Sequence, residues 1–172
     1  MRRGCGVGRP GAGLALGLGL LAALLSACAA PPPPVLEAPS FYARLDEPGA
    51  ALDAPGLVGL VNTYRAAKGL APLALDAELS ADAGALASRL AEADRSRPGE
   101  SPRFEAASLG GGERIERGSA GYRTAAEAFS GWRDSSPHDA ALTAPGARRI
   151  GVAAVARPSS RFRVYWGLVT AP

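Results

Sequence analysis

The sequence predicts an α+β domain built in layers. Residues 56–68, 76–95 and 124–133 carry apolar positions at helical spacing behind residues suited to capping, whereas residues 150–156 and 162–170 have strand character. Helices first, then a closing hairpin that pairs with earlier short segments, is the order of elements that an α+β fold produces.

The first 27 residues stand apart from that domain. Arg2, Arg3 and Arg9 precede an apolar run from Leu14 to Leu25, too short to span a bilayer comfortably, and Leu25-Ser26-Ala27-Cys28 follows. Basic, then apolar, then small is the order of a secretory signal, and its ending looks like a bacterial lipobox. This implies cleavage before Cys28 and lipidation of its sulfur, so the mature protein is expected to be held to the membrane through an N-terminal lipid. Ala29 in place of an aspartate favours the outer membrane where the cell has one. The other cysteine, Cys5, leaves with the signal.

Removing the signal changes the charge. The whole chain is formally +3, but without its three arginines 16 basic residues face 16 acidic ones. A neutral mature chain has no electrostatic footprint for nucleic acid. Residues 28–55, with Pro31 to Pro34, Pro39, Pro48 and Pro55, form an extended tether without a core of their own. Residues 56–172 are then one domain of ordinary size.

Within it, Leu57, Leu60, Val61 and Tyr64 share a helix face that Gly69 ends, and Asp76 caps a second helix with Leu79, Ala83, Leu86, Ala87 and Leu90 on its apolar stripe. Residues 96–112, rich in Pro, Gly, Ser and charge, form a long loop. Thr124 and Glu127 make a capping box for a third helix, which buries Ala125, Ala128, Phe129 and Trp132. Ser135-Ser136-Pro137 should stop that helix and deliver His138, the sole histidine, at a turn. In the closing hairpin Phe162, Val164, Trp166 and Leu168 alternate with Arg163, Tyr165 and Gly167, giving one heavy face.

These segments together resemble the CAP superfamily of cysteine-rich secretory, antigen 5 and pathogenesis-related proteins, in its bacterial SCP-like form. Leu60-Val61-Asn62-Thr63-Tyr64-Arg65, Gly69-Leu70-Ala71-Pro72-Leu73 and Asp76-Ala77-Glu78-Leu79 are similar to the family's opening. Trp132-Arg133-Asp134-Ser135-Ser136-Pro137-His138, Ile150-Gly151-Val152 and Tyr165-Trp166 are similar to its second half. The resemblance implies an α-β-α sandwich around a small twisted antiparallel sheet. It places Glu113, in Gly112-Glu113-Arg114-Ile115, on the family's first cavity glutamate, so Glu113, His138 and Glu116 become the cleft candidates.

The departures from the family concern chemistry. Many members line the cleft with two histidines and acids that hold a divalent metal, whereas this chain has one histidine, and Asp94, Arg95, Ser96 and Arg97 stand where the other is expected. His138, Glu113 and Glu116 are a thin ligand set for zinc, which takes three or four side chains. Neither a metal nor another cofactor is therefore expected, and no residue is assigned a catalytic role. A serine hydrolase would need a Ser–His–acid set, and the G-x-S-x-G elbow is absent from the sequence. The sequence thus favours a binding module for a small apolar or peptide ligand or an envelope partner over a degenerate metal-dependent hydrolase or a purely structural lipoprotein. If Glu113 faces His138 as the resemblance implies, the carboxylate should raise the histidine pKa above its ordinary value of about 6.5.

Overall fold

The computed structural model describes residues 40–96 and 114–172. Cys28, Glu113 and most of the long loop before it lie outside the described residues.

After a 3-10 turn at Ser40–Tyr42, helix α1 spans Ala54–Ala67. Asp53 begins it by accepting the Gly56 N–H at 2.9 Å, and Pro55 occupies the first turn, where a missing N–H costs nothing. Strand β1 (Ala74–Leu75) leads into α2 (Ala77–Ser96), whose start Asp76 caps through the Leu79 N–H at 2.9 Å. Strand β2 (Ile115–Ala120), α3 (Ala125–Arg133), α4 (Ser136–Leu142), β3 (Arg149–Ala156) and β4 (Val164–Ala171) complete the order. The sheet runs β1-β3-β4-β2; three strands pair antiparallel, and two-residue β1 adds a parallel edge against β3.

All eight residues of β4 are buried, because helices cover both faces of the sheet. On one face α2 lies directly against the backbone. A Cβ at Gly167 would come 2.0 Å from the Ala83 carbonyl oxygen, and one at Gly151 would come 2.0 Å from the carbonyl carbon of Leu79. No other residue fits either position without moving the helix away from the sheet. On the opposite face Trp132, Trp166, Leu168, Ile150 and Val152 join Leu57 and Val61 in the main core. The two tryptophans meet edge to face with centroids 5.8 Å apart. Each buried indole N–H has an acceptor: Trp132 donates to Ser119 Oγ at 2.9 Å, and Trp166 donates to the Tyr122 carbonyl at 2.8 Å.

Several sequence expectations need correction. Residues 40–55 are not all tether: Leu45 is buried in the main core, and Phe41 and Leu52 pack against it. The buried face of α1 is Leu57, Val58, Val61 and Arg65, rotated from the expected stripe, because Arg65 turns inward to carbonyl oxygens. Its guanidinium donates to Ala71 O and Leu142 O, each at 2.7 Å, and to Ala144 O at 3.2 Å, and it thereby ties α1 to the end of α4. Phe162 lies before β4 and packs with Tyr165 on the α2 face, not with Trp166. The alternation changes phase there because Arg163 is in the left-handed region at φ 65°. Finally, Ser135 to Pro137 do not leave His138 in a turn. They start α4, with proline in its first turn, where its missing N–H is tolerated.

Trp132→Ala should cost about 3 to 5 kcal/mol, because it empties the centre of the two-tryptophan layer and orphans Ser119. A denaturant titration measures it, and a loss below about 1 kcal/mol would contradict the packing described.

Candidate functional site

The site is built from the end of α3 outward. The capping box at its start is complete: Glu127 N–H donates to Thr124 Oγ1 at 3.1 Å, and Glu127 Oε2 accepts the Thr124 N–H at 3.3 Å. Asp134 closes α3 and Ser135 opens α4, so Trp132 and His138 lie on consecutive helices with their rings parallel, 1° apart in plane and 6.4 Å between centroids.

His138 has a partner on each ring nitrogen. Nε2 is 3.2 Å from the Gly118 carbonyl and Nδ1 is 2.9 Å from Ser135 Oγ. A carbonyl can only accept, so Nε2 carries the proton, Nδ1 is bare, and the Ser135 hydroxyl donates to it. The Gly118 carbonyl is not a sheet acceptor. Gly121 donates to Val164 O at 2.9 Å and so fixes the phase of the β2–β4 ladder, in which Glu116 and Gly118 point their carbonyls away from β4. Both outward carbonyls are occupied: Arg117 Nη1 donates to Glu116 O at 2.7 Å, and His138 donates to Gly118 O. Arg117 Nε also reaches the Pro137 carbonyl at 2.8 Å and fastens α4 to the same edge. His138 therefore caps the exposed edge of β2 in the manner by which edge strands are protected from pairing with other chains.

The electrostatics agree with that role. Burial pushes the His138 pKa below its ordinary value, and Arg117 pushes it the same way, against the Gly118 hydrogen bond, which raises it. The direction is opposite to the rise above about 6.5 expected from a facing Glu113, because burial and the Arg117 cation outweigh the Gly118 hydrogen bond. Asp139, the adjacent carboxylate, accepts from Tyr64 Oη at 2.7 Å.

Of the three cleft candidates, the two that are described, Glu116 and His138, do not come together. Glu113 lies outside the described residues. Glu116 is paired in register with Val169, on the face covered by α2, whereas His138 stacks on Trp132 on the other face. Glu116 is buried and accepts from Arg114 Nη2 at 2.8 Å, while the same nitrogen reaches Asp82 of α2 at 2.7 Å. Arg114 is thus committed to Asp82 and Glu116. Among the described residues no group of three or more His, Cys, Asp or Glu is placed to hold a metal ion.

Sequence reasoning missed Ser135 and Gly118 as the partners of His138. The Ser135-x-x-His138 spacing across a helix start was the available signal, since it puts the two side chains on one side of the first turn. It also missed an apolar cavity of about 240 Å³ lined by Ile115 and Ala144 to Ala147, where the chain leaves α4.

The comparisons with known proteins agree with this architecture. The model of the cysteine-rich secretory protein family matches residues 58–169, and the chain belongs to that family. Among solved structures, an outer surface protein of Borrelia burgdorferi is 16% identical over 69% of this chain and 90% of its own, with a TM-score of 0.50. An extracellular protein containing an SCP domain from Bacillus anthracis is 17% identical over 69% of this chain and 40% of its own, at 0.48. A cysteine-rich secretory protein of Staphylococcus aureus is 15% identical over 67% of this chain and 36% of its own, at 0.46. The chain spans less than half the length of the last two. A search of curated proteins gives no match.

The lowered histidine pKa makes a prediction with a definite sign. Above about 6.5 the imidazole is neutral in both folded and unfolded chains. As pH falls below that value, the unfolded chain binds the proton first and the folded state loses stability. Urea unfolding at steps between pH 7.5 and 5 should show this loss in the wild type and a flatter profile in His138→Asn. Equal profiles would contradict the assignment.

Proposed function

We propose that this chain is a lipid-anchored extracytoplasmic CAP-domain protein that acts as a binding module for a small apolar or peptide ligand or an envelope partner. The observation that carries the binding reading is the contrast between two features of the fold. The sole histidine has both nitrogens turned to the fold, whereas the apolar cavity beside the end of α4 is lined by Ile115, Ala144, Pro145, Gly146 and Ala147, with no ionisable side chain among them. An apolar cleft of this kind takes an apolar group more readily than a charged one. The anchor is supported by Leu25-Ser26-Ala27-Cys28, and the similarity to extracellular and outer-surface proteins accords with an envelope location. Among the described residues no helix is long and apolar enough to cross a membrane.

One observation favours the hydrolase alternative, the 2.9 Å contact between Ser135 Oγ and His138 Nδ1. The other ring nitrogen meets a carbonyl and not a carboxylate, so the pair lacks the acid that would stabilise an imidazolium. A structural lipoprotein with an unused cleft is the third reading.

The anchor and the ligand have separate tests. Cys28→Ala should release the protein from the membrane fraction or leave an unprocessed precursor; a variant processed and membrane-bound like the wild type would remove the anchor. Mass spectrometry of small molecules that co-purify with the wild type should recover an apolar or peptide species that Ala144→Trp, which fills the cavity, no longer retains. Equal recovery from both would remove the cavity from the reading.

A further inference from the structure

Between α4 and β3 the chain turns over Ala144, Pro145, Gly146 and Ala147. The Ala147 N–H closes the turn on the Ala144 carbonyl at 3.3 Å, and Pro145 holds the position that favours proline. These residues, with Ile115, line the apolar cavity. Two guanidinium groups fasten the turn. From inside, Arg65 donates to Leu142 O at 2.7 Å and to Ala144 O at 3.2 Å. From outside, Arg148 Nη1 donates to Pro145 O and to Ala147 O, each at 2.9 Å.

Neither cation is met by a carboxylate among the described residues. Arg65 is fully buried and its Nη2 has no hydrogen-bond partner; burial and the nearby Arg148 charge pull its pKa below the ordinary value. Arg148 is exposed, and its side-chain bonds go to carbonyl oxygens alone. The acids on the surrounding elements are engaged elsewhere. Asp139 accepts from Tyr64 Oη at 2.7 Å, Asp76 pairs with Arg149 at 3.1 Å, and Glu116 pairs with Arg114 at 2.8 Å. Both carbonyl bonds of Arg148 use Nη1, so Nε and Nη2 keep their protons for another acceptor. A guanidinium presents such a pair of N–H groups as a fork that fits a carboxylate. In the same turn the Gly146 N–H has no acceptor among the described residues.

We propose that the cavity takes a small apolar carboxylate, with its hydrocarbon body against Ile115 and the Ala144–Ala147 turn and its carboxylate on the guanidinium of Arg148. This deepens the binding reading given above and rests on it. The apolar lining favours a hydrocarbon group, but a hydrocarbon alone would leave both cations without a counter-charge. A carboxylate accepts two parallel N–H bonds from Arg148 and lies in the field of Arg65, which the interior screens weakly. Size narrows the class further. The cavity, at about 240 Å³, falls below the range of roughly 300 to 1,000 Å³ usual for drug-sized ligands. That volume suits a short branched body rather than a long acyl chain. A free acid and the C-terminal residue of a peptide both carry this chemistry, and the probes separate them.

The test measures binding to the full chain, as isolated from cells, by equilibrium dialysis. The probes are isovalerate, isovaleramide, acetyl-alanyl-leucine and the C-terminal amide of that peptide. Each acid should bind at least about tenfold more tightly than its amide, the scale of one charge-assisted pair. Arg148→Gln should remove the difference and Arg148→Lys should keep part of it, while Ala144→Trp should remove binding of all probes. The tighter of the two acids identifies the source. Acid and amide that bind the wild type equally, and are both lost in Ala144→Trp, keep the cavity and overturn the carboxylate. An acid preference that persists in Arg148→Gln overturns the assignment to Arg148. Binding that survives Ala144→Trp, or no binding of any probe, overturns the proposal together with the cavity reading.

Discussion

The structure depends on the contact between α2 and two glycines of the sheet. Gly151 and Gly167 lie on neighbouring strands, and each is pressed against the α2 backbone so closely that a methyl group would overlap Leu79 or Ala83. With the helix seated on one face, both tryptophan rings lie on the other, and Tyr165 and Val169 flank Gly167 on the helix side. The tryptophan face receives Trp166 and Leu168 from β4 and Ile150 and Val152 from β3. Trp132 of α3 then fills the layer above them, and its indole N–H requires an acceptor, which Ser119 of β2 supplies. The edge strand, the tryptophan and α4 are fixed together in this way, and His138 inherits its position from them.

Much of this order was legible in the sequence, because it rests on local signals. Asp76 and the Thr124–Glu127 pair act within four residues of their own position, and the apolar period marks Leu79, Ala83 and Ala87 directly. What was not legible depends on long-range partners. Arg65 looks like a solvated helix residue, yet it is fully buried because carbonyl oxygens 6, 77 and 79 positions away converge on it. Strand β2 is Ile-Glu-Arg-Gly-Ser-Ala, with no apolar alternation, and becomes a strand through its register with β4. The phase change at Phe162 is set by one left-handed residue, Arg163, which is not a residue type that announces such a conformation.

The candidate site was legible as residue types and not as geometry. The single histidine and the short acid list already marked a departure from the metal-ligand pattern of many family members. Whether the remaining groups faced one another depended on the faces of the sheet. Glu116 turns to α2 and is neutralised by Arg114, while His138 turns to Trp132 and the edge of β2. A histidine that resembles a cleft residue in sequence is here a cap on an edge strand, bound through both nitrogens. A half-buried, uncharged imidazole between a carbonyl and a hydroxyl is suited to that use.

That claim turns on one proton. With Gly118 accepting from Nε2 and Ser135 donating to Nδ1, the imidazole must be the Nε2–H tautomer throughout the neutral range. Long-range proton–nitrogen correlation of the single imidazole at pH 7.5 reads this without interference from any other histidine. The account predicts one protonated nitrogen, Nε2, with Nδ1 at the position of a bare, hydrogen-bond-accepting nitrogen. A protonated Nδ1, or the averaged shifts of a ring exchanging freely between tautomers, would contradict it.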